Sequence, residues 1–259
     1  MVWQDGSLRG RRLREDVRAS RSTVGTFLNM GSPLAAEAMA LAGFDWLLVD
    51  LEHGGRGEEA LLPQLLAAAA HDVPVIVRVE TTDRIRAGRV LDLGANGIMF
   101  PRVDSGEEAA RAASNLRYAP NGRRGIATYN RSCGFGSHPE VLNTADENVL
   151  CVVQIESIAA LDEVEAIANA PGVDVLFVGP RDLTQALGCP GEVSSAMFRE
   201  ATDRVRTAAA DAGISTGILV PRPEDCAPYR DQGFSFIAVG SDSSMLVSTA
   251  IATVDSARL

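Results

Sequence analysis

The chain has 259 residues, of which 46% are hydrophobic and 22% charged, a composition typical of a globular protein that buries one large core. All 24 basic residues are arginine, and the lack of lysine excludes aldolases and pyridoxal-phosphate enzymes that form an imine on lysine, as well as P-loop nucleotide sites. The net charge of −10 argues against nonspecific nucleic-acid binding, and no apolar run reaches the ~18 residues that a membrane-spanning helix needs.

Residues 1–21 form an N-terminal extension that contains no apolar stretch of the secretory-signal type, so we expect a cytoplasmic protein. Acidic and apolar residues interleave a group of six arginines, namely Arg9, Arg11, Arg12, Arg14, Arg18 and Arg21. This pattern predicts a helix whose arginines face solvent. The four cysteines are scattered and form no Cys-x-x-Cys pair, which is typical of a reduced protein without disulfides or a thiolate zinc site.

From residue 22 onward, eight short apolar runs alternate with segments that resemble helices. The predicted strands are residues 23–28, 46–51, 75–79, 97–100, 150–155, 173–178, 216–220 and 236–239. Their continuous apolar character is expected of parallel strands covered on both faces. The predicted helices include residues 58–70, 84–93, 158–170, 194–212, 224–232 and 243–256.

Eight strand–helix repeats in ~250 residues predict one (β/α)8 TIM barrel domain that spans residues 1–259. The alternative is an open doubly wound sheet, which usually has a Gly-x-Gly-x-x-Gly loop after its first strand. Here the first strand leads into Asn-Met-Gly-Ser-Pro instead. Residues 118–148, rich in Gly, Asn and Arg, are too long for a plain connection between strands four and five. We therefore expect this segment to be a long, partly helical active-site loop region.

Polar residues follow several predicted strands at their C-terminal ends, where the catalytic residues of such barrels lie. They are Asp50, Glu52, His53, Arg78, Gln154, Glu156, Arg181 and Asp182. Carboxylates that converge on one cavity need either protons or a cation, and a divalent metal is the simpler answer. Oxygen ligands favour Mg²⁺ or Mn²⁺, so Glu156 and Asp182 are the candidate metal ligands. Taken alone, Asp182 could instead cap the helix that follows it, and His53 could be an ordinary loop histidine.

Five segments closely resemble the HpcH/HpaI aldolase family, in the same order and with similar spacing between about residues 22 and 245. They are GFDWLLVDLEHG at 43–54, VIVRV at 75–79, YAPNGRRG at 118–125, QIES at 154–157 and VGPRDL at 178–183. The family contains metal-dependent pyruvate aldolases of the 4-hydroxy-2-oxoheptanedioate type and is related to the citrate lyase β-subunit superfamily. The match of five motifs in register makes the resemblance specific.

The resemblance implies which residues bind metal and substrate. Glu156 and Asp182 look like the two metal ligands. Gln154 and the backbone at Arg181 and Asp182 look like contacts to the pyruvate moiety. Relatives often carry a small or neutral residue at the position of Arg181, so this side chain is expected to influence which aldehyde is accepted.

The resemblance also implies the residues that perform the chemistry. His53 looks like the general base, and Asp92 looks like the carboxylate that raises its basicity. Arg78 looks like the group that binds the keto or enolate oxygen of pyruvate. Asp50 and Glu52 look like residues that hold water on the metal.

The implied activity is that of a class II aldolase, which reversibly cleaves a 4-hydroxy-2-oxoacid to pyruvate and an aldehyde through a metal-stabilised pyruvate enolate. The cofactor is expected to be Mg²⁺ or Mn²⁺, with Co²⁺ as a further candidate, and no Schiff base, pyridoxal phosphate or nucleotide is expected. The resemblance implies a homohexamer, a trimer of dimers with exchanged C-terminal helices. The partners are small-molecule substrates rather than nucleic acid or membrane. Two alternatives are an acyl-CoA lyase of the citrate or malyl-CoA type and a non-catalytic barrel that binds metal or ligand.

Overall fold

Eight parallel strands close into a barrel in chain order in the structure, a computed structural model that describes residues 7–258. The strands are β1 (Thr23–Leu28), β2 (Trp46–Asp50), β3 (Val75–Arg78), β4 (Gly97–Phe100), β5 (Leu150–Ile155), β6 (Val175–Val178), β7 (Ser215–Val220) and β8 (Phe236–Ser241). Hydrogen bonds between β8 and β1 close the ring. The expected (β/α)8 fold is confirmed, and every predicted strand overlaps an observed strand.

One helix precedes the first strand, and the other helices lie between or after the strands, around the outside of the barrel. They are α1 (Ser7–Arg18), α2 (Pro33–Leu41), α3 (Leu61–Ala70), α4 (Arg84–Asp92), α5 (Gly106–Ser114), α6 (Ala145–Asn148), α7 (Ile158–Asp162), α8 (Val164–Ala168), α9 (Pro180–Ala186), α10 (Ala196–Ala212), α11 (Cys226–Asp231) and α12 (Asp242–Ala257). Short 3-10 helices span Glu58–Ala60, Arg131–Gly136, Pro139–Asn143 and Pro223–Asp225. Within residues 7–258, no helix has the length and apolarity needed to cross a membrane.

Two predicted helices differ from the observed ones for local reasons. The helix predicted from residue 58 starts with a 3-10 turn, and its α-helical part begins only at Leu61. This start places Pro63 in the first α-helical turn, where its missing N–H costs no hydrogen bond. The helix predicted over residues 158–170 is divided at Glu163, whose backbone leaves the helical region. The change of direction lets Val164 and Ile167 pack into the core.

Alternation along the strands decides which side chains point into the barrel. The inner apolar cluster contains residues of β2, β3 and β5, including Leu48, Ile76 and Val152. Asp50, Arg78 and Gln154 stand two residues further along the same strands and therefore share the inner face at the C-terminal end. Cys151 belongs to the cluster that faces the helices, as expected of a core-packing residue.

Helix α1 closes the N-terminal end of the barrel, which corrects the expectation that its arginines all face solvent. Leu13 and Val17 pack into the inner cluster of the barrel. Arg9 and Arg14 are only 6% and 5% exposed. The Nε atom of Arg14 donates to both carboxylate oxygens of Asp174 at 3.0 Å. The two arginines are buried because α1 lies across the barrel end, where an acidic partner is available.

Residues 118–148 are partly helical, as expected, but the structure places them at the N-terminal end of the barrel. The segment connects α5 to β5, and helix-to-strand connections of a barrel lie at that end. Its last helix, α6, packs against α1, and the carbonyl of Asp146 accepts a hydrogen bond from Arg14. Within one chain the segment therefore lies away from the strand ends that carry the site, and its role as an active-site loop stays a prediction.

Helix α12 carries an exposed apolar face. The side chains concerned are Leu246, Val247, Ile251 and Val254, which are 45% to 58% exposed. The helix contacts β1, β8 and α2 near its start. The exchange of this helix between subunits stays a prediction.

Candidate active site

Arg78 and Asp50 form a buried, bidentate ion pair at the C-terminal end of the barrel. The two residues lie opposite each other on the neighbouring strands β2 and β3. Arg78 donates from Nε to Oδ1 of Asp50 at 2.9 Å and from Nη2 to Oδ2 at 2.7 Å. Burial opposes the charge on Arg78, but the hydrogen bonds and charge of Asp50 outweigh it and raise the pKa of the guanidinium. Arg78 is therefore a fixed positive charge in the barrel mouth.

The remaining contacts of Arg78 hold its guanidinium group from three sides. Its Nη1 atom lies 3.2 Å from Oε2 of Glu52 and donates to Oε1 of Gln154 at 3.3 Å. Its Cζ atom lies 5.2 Å from the ring centroid of Phe27 on β1. This set of contacts orients the group before any substrate arrives.

Gln154 links Arg78 to Glu156, which β5 places on the same inner face. The amide Nε2 of Gln154 donates to Oε2 of Glu156 at 2.8 Å. The other carboxylate oxygen, Oε1, accepts from the backbone N–H of Arg102 at 2.8 Å. Glu156 is 7% exposed, so its carboxylate is both buried and fixed in position.

The mouth of the barrel contains more negative than positive charge. Burial raises the pKa of Glu156 to about 6, and the negative charges of Asp182 and Glu52 add to this shift. Burial also raises the pKa of Glu52, where Asp50 and Asp182 again act in the same direction. Four carboxylates thus share one guanidinium, and a divalent cation would relieve this imbalance.

The donor set fits a cation held by one or two carboxylates. Asp182 is exposed in the first turn of α9, and its negative charge contributes to the raised pKa of Glu156. Across residues 7–258, no group of three or more His, Cys, Asp or Glu residues is arranged to hold a metal ion. Mg²⁺ and Mn²⁺ accept such sites because water and substrate oxygens complete their coordination. Glu156 and Asp182 therefore fit these ions.

Gly179 is required by the close approach of β6 to Glu156. A Cβ atom at this position would lie 2.5 Å from Oε2 of Glu156 and 3.2 Å from Nε2 of Gln154. The φ angle of −92° is ordinary, so the need for glycine here is one of space. Gly179 is not among the site residues predicted from the sequence, although a glycine directly after a buried strand is a usable signal of close backbone approach.

Two further residues of the site, Phe27 and Arg102, could not be predicted from the sequence pattern. Phe27 looks like any other apolar strand residue, and only the closed barrel brings it under Arg78. Arg102 contributes a backbone N–H, held with φ at +49°. A backbone contact of this kind does not depend on side-chain identity.

His53 stands at the mouth of the site. Its backbone N–H donates to Oδ1 of Asp50 at 3.2 Å, while its imidazole is 69% exposed. Its Nε2 atom lies 3.8 Å from Oε2 of Glu52. Arg181 is also exposed here, on the first turn of α9.

Asp92 is not brought to His53 within one chain, and its predicted role beside a histidine base stays a prediction. It is the last residue of α4, and barrel helices run back toward the N-terminal ends of the strands. Its Oδ1 atom accepts from Nη2 of Arg124 at 2.8 Å. Asp92 therefore belongs to the opposite end of the barrel from the site.

Comparison with known proteins agrees with this geometry. Residues 23–249 match the family model described as HpcH/HpaI aldolase/citrate lyase. A hydroxypyruvate/pyruvate aldolase of Paraburkholderia phytofirmans is 41% identical over 236 residues, which cover 89% of this chain and 91% of that protein. A 5-keto-4-deoxy-D-glucarate aldolase of Klebsiella pneumoniae is 37% identical and covers 92% of this chain and 93% of its own length.

A solved structure gives the same result for the fold. The crystal structure of an HpcH/HpaI aldolase/citrate lyase family protein from Burkholderia cenocepacia superposes with a TM-score of 0.92 at 36% identity. The match covers 96% of this chain and all of that one. The barrel, its acidic mouth and these matches across almost the whole length identify the chain as an enzyme of the carbon–carbon lyase type that belongs to the HpcH/HpaI aldolase/citrate lyase family.

Proposed function

We propose that this protein is a class II aldolase that reversibly cleaves a 4-hydroxy-2-oxoacid to pyruvate and an aldehyde. The observation that carries the proposal is the buried carboxylate of Glu156 with excess negative charge around it, beside the fixed guanidinium of Arg78. A chain without lysine cannot form an imine with pyruvate, so it needs another acceptor for the electrons of the broken bond. The relatives that are 41% and 37% identical are named as aldolases, which supports the reaction class.

Glu156 and Asp182 are the residues that would hold a divalent cation, Mg²⁺ or Mn²⁺ by the nature of their oxygen atoms. When bound, the cation supplies positive charge that polarises the carbonyl group of a 2-oxoacid. Burial, together with the negative charges of Asp182 and Glu52, raises the pKa of Glu156, so a neutralising cation beside this carboxylate would be favourable.

Arg78 provides the second positive charge of the reaction. Its guanidinium is held by Asp50 so that it need not reorganise as negative charge develops on the C2 oxygen of the substrate. In the cleavage direction, the C3–C4 electron pair moves toward this oxygen, and the aldehyde leaves with C4. Protonation of the resulting enolate at C3 then gives pyruvate.

His53 would take the proton of the C4 hydroxyl group. Its imidazole is exposed at the mouth of the site, next to Glu52. Histidine is the side chain that most often serves as a general base in enzymes. Glu52, 3.8 Å from Nε2 of His53, would stabilise the protonated imidazole.

The apolar face of α12 supports a homo-oligomer of this chain, which we propose is a hexamer. Leu246, Val247 and Ile251 are each more than half exposed, and a second copy would cover them. The mass of the purified protein measured by light scattering tests this: six times the chain mass is expected, and a monomer would contradict it.

The decisive test of the reaction measures pyruvate release from 4-hydroxy-2-oxoacids with Mn²⁺, with a chelator, and with Mn²⁺ restored. We expect turnover to disappear on chelation and to return with the ion. Glu156→Gln should be inactive, whereas Glu107→Gln, at an 89% exposed position of α5, should match the wild type. Turnover that survives chelation would contradict the proposal, and cleavage of an acyl-CoA ester instead would favour the citrate-lyase branch of the family.

A further inference from the structure

A cavity of about 340 Å³ lies at the N-terminal end of the barrel, opposite the catalytic mouth. It is bounded by α1, by the end of α4 and by segment 118–148. Its position is fixed by Asn96 and Val149, which line it and directly precede β4 and β5. The volume is at the lower end of the range of ~300–1,000 Å³ that is usual for small-molecule sites.

The lining of this cavity is positively charged in a chain whose net charge is −10. Arg9, Arg124 and Arg131 line it, and no aspartate or glutamate does so among the described residues. Arg124 is bound to Asp92 outside the cavity, and Arg9 lies 3.7 Å from the half-exposed Asp72. Three guanidinium groups line one cavity in a protein that otherwise has an excess of acidic residues. This concentration of positive charge favours the binding of an anion.

Arg131 has no carboxylate partner within the described part of the chain. Its Nη1 atom donates to the carbonyl of Leu93 at 2.9 Å, which satisfies one N–H but leaves the charge uncompensated. Burial lowers the pKa of Arg131, and the positive charge of Arg9 lowers it further. The guanidinium is held against Gly94, where a Cβ atom would lie 2.3 Å from Nη1. Its position is thus fixed although its charge is not neutralised.

Two buried polar atoms beside the cavity lack hydrogen-bond partners. They are Nε of Arg124 and Oδ1 of Asn148, on residues that are 6% and 4% exposed. Both residues line the cavity. Unsatisfied buried groups are costly, so a donor and an acceptor left open at one cavity indicate a ligand that completes them.

We propose that this cavity is a second binding site, for a small organic carboxylate that carries a hydroxyl group. The carboxylate would pair with Arg131 and Nε of Arg124, and the hydroxyl group would donate to Oδ1 of Asn148. The apolar side chains of Leu91 and Val141, which also line the cavity, favour an organic anion over an inorganic one. The site lies at the end of the barrel away from Glu156, so it does not depend on the proposed reaction.

Calorimetric titration of the full chain with malate tests this site, in the presence of a chelator and at constant ionic strength. We expect saturable binding of malate, with an affinity about tenfold or more lower in Arg131→Gln. The loss should be smaller in Arg131→Lys, which keeps the positive charge but lacks the planar guanidinium that can donate two hydrogen bonds to a carboxylate. Arg222→Gln makes the same charge change at an exposed position of the surface and should bind like the wild type. Thermal unfolding of each variant shows that it is folded.

Further titrations identify the site at which malate binds and the chemical class of the ligand. Arg78→Gln should bind malate like the wild type, because Arg78 lies at the catalytic end. The proposal is overturned if the wild type shows no saturable binding, if Arg131→Gln binds unchanged, or if Arg222→Gln loses as much affinity. Loss of binding in Arg78→Gln would place the anion in the catalytic mouth instead. Phosphate that binds as tightly as malate would overturn the organic character of the ligand.

Discussion

Arg78 on β3 donates two hydrogen bonds to the carboxylate of Asp50 on the neighbouring strand β2, from Nε at 2.9 Å and from Nη2 at 2.7 Å. The backbone N–H groups of Glu52 and His53 also donate to Oδ1 of Asp50. One buried carboxylate therefore positions both the guanidinium of Arg78 and the turn that carries His53, the candidate base. The pair is a structural support for the site as well as part of its charge.

Asp50→Ala should lower the free energy of unfolding by about 3 kcal/mol, because it leaves the buried charge of Arg78 without its main partner. Urea denaturation monitored by circular dichroism measures the change. Asp225→Ala removes a carboxylate from an arginine pair whose Arg222 is exposed on the surface and should cost less than about 1 kcal/mol. Equal losses in the two variants would contradict the importance of the buried pair.

Gly179→Ala should reduce pyruvate release by about 10²-fold while the protein stays folded. The new Cβ atom would lie 2.5 Å from Oε2 of Glu156, so this carboxylate must shift, and small displacements in an active site have effects of this size. Steady-state kinetics and Mn²⁺ titration measure the result. Gly88→Ala, a matched change inside α4 with no neighbour within 4 Å, should leave activity unchanged. A fully active Gly179→Ala enzyme would show that Glu156 need not occupy its observed place.

Glu156 should make the metal-free protein less stable as the pH rises. Its pKa is raised from 4.5 in the unfolded chain to about 6 in the folded protein, so the folded state holds this proton more tightly. The stabilisation is present below pH 4.5 and is lost as the pH rises through about 6, which amounts to about 2 kcal/mol.

Glu156→Gln provides the reference for this pH effect, because glutamine does not titrate. The free energy of unfolding of the chelated wild type, relative to that of the variant, should fall by about 1.5 kcal/mol between pH 4.5 and 6.5. Chemical denaturation at a series of pH values measures the difference. A difference that stays constant, or that rises with pH, would mean that the carboxylate is not destabilised by burial.

The sequence predicts the barrel well because its strands are covered on both faces. Their continuous apolar runs stand out against the helical segments, and a period of two then places Gln154 and Glu156 on one face. The arginines at the site could be inferred in the same way, since an inward-pointing arginine such as Arg78 needs an anion. The prediction of Glu156 and Asp182 as metal ligands rests on this arrangement and on the family resemblance.

Features that depend on long-range packing could not be predicted from local patterns. The burial of Arg14 follows from Asp174, 160 residues away, which no periodicity of α1 reveals. Segment 118–148 stands out in the sequence by its length and composition. The end of the barrel at which it lies depends on whether it connects a strand to a helix or a helix to a strand. By resemblance Asp92 looks like the partner of His53, whereas within one chain its place at the end of α4 pairs it with Arg124.

The most direct test of the central claim is the exchange of the methyl protons of pyruvate with D₂O, followed by proton NMR in the presence of Mg²⁺. Exchange requires the C3 carbanion character that the site is proposed to stabilise, and it needs no knowledge of the aldehyde. We expect exchange with the wild type and with Glu107→Gln, and none after chelation or with Glu156→Gln. Exchange that continues undiminished without the metal ion or without the carboxylate of Glu156 would contradict the account.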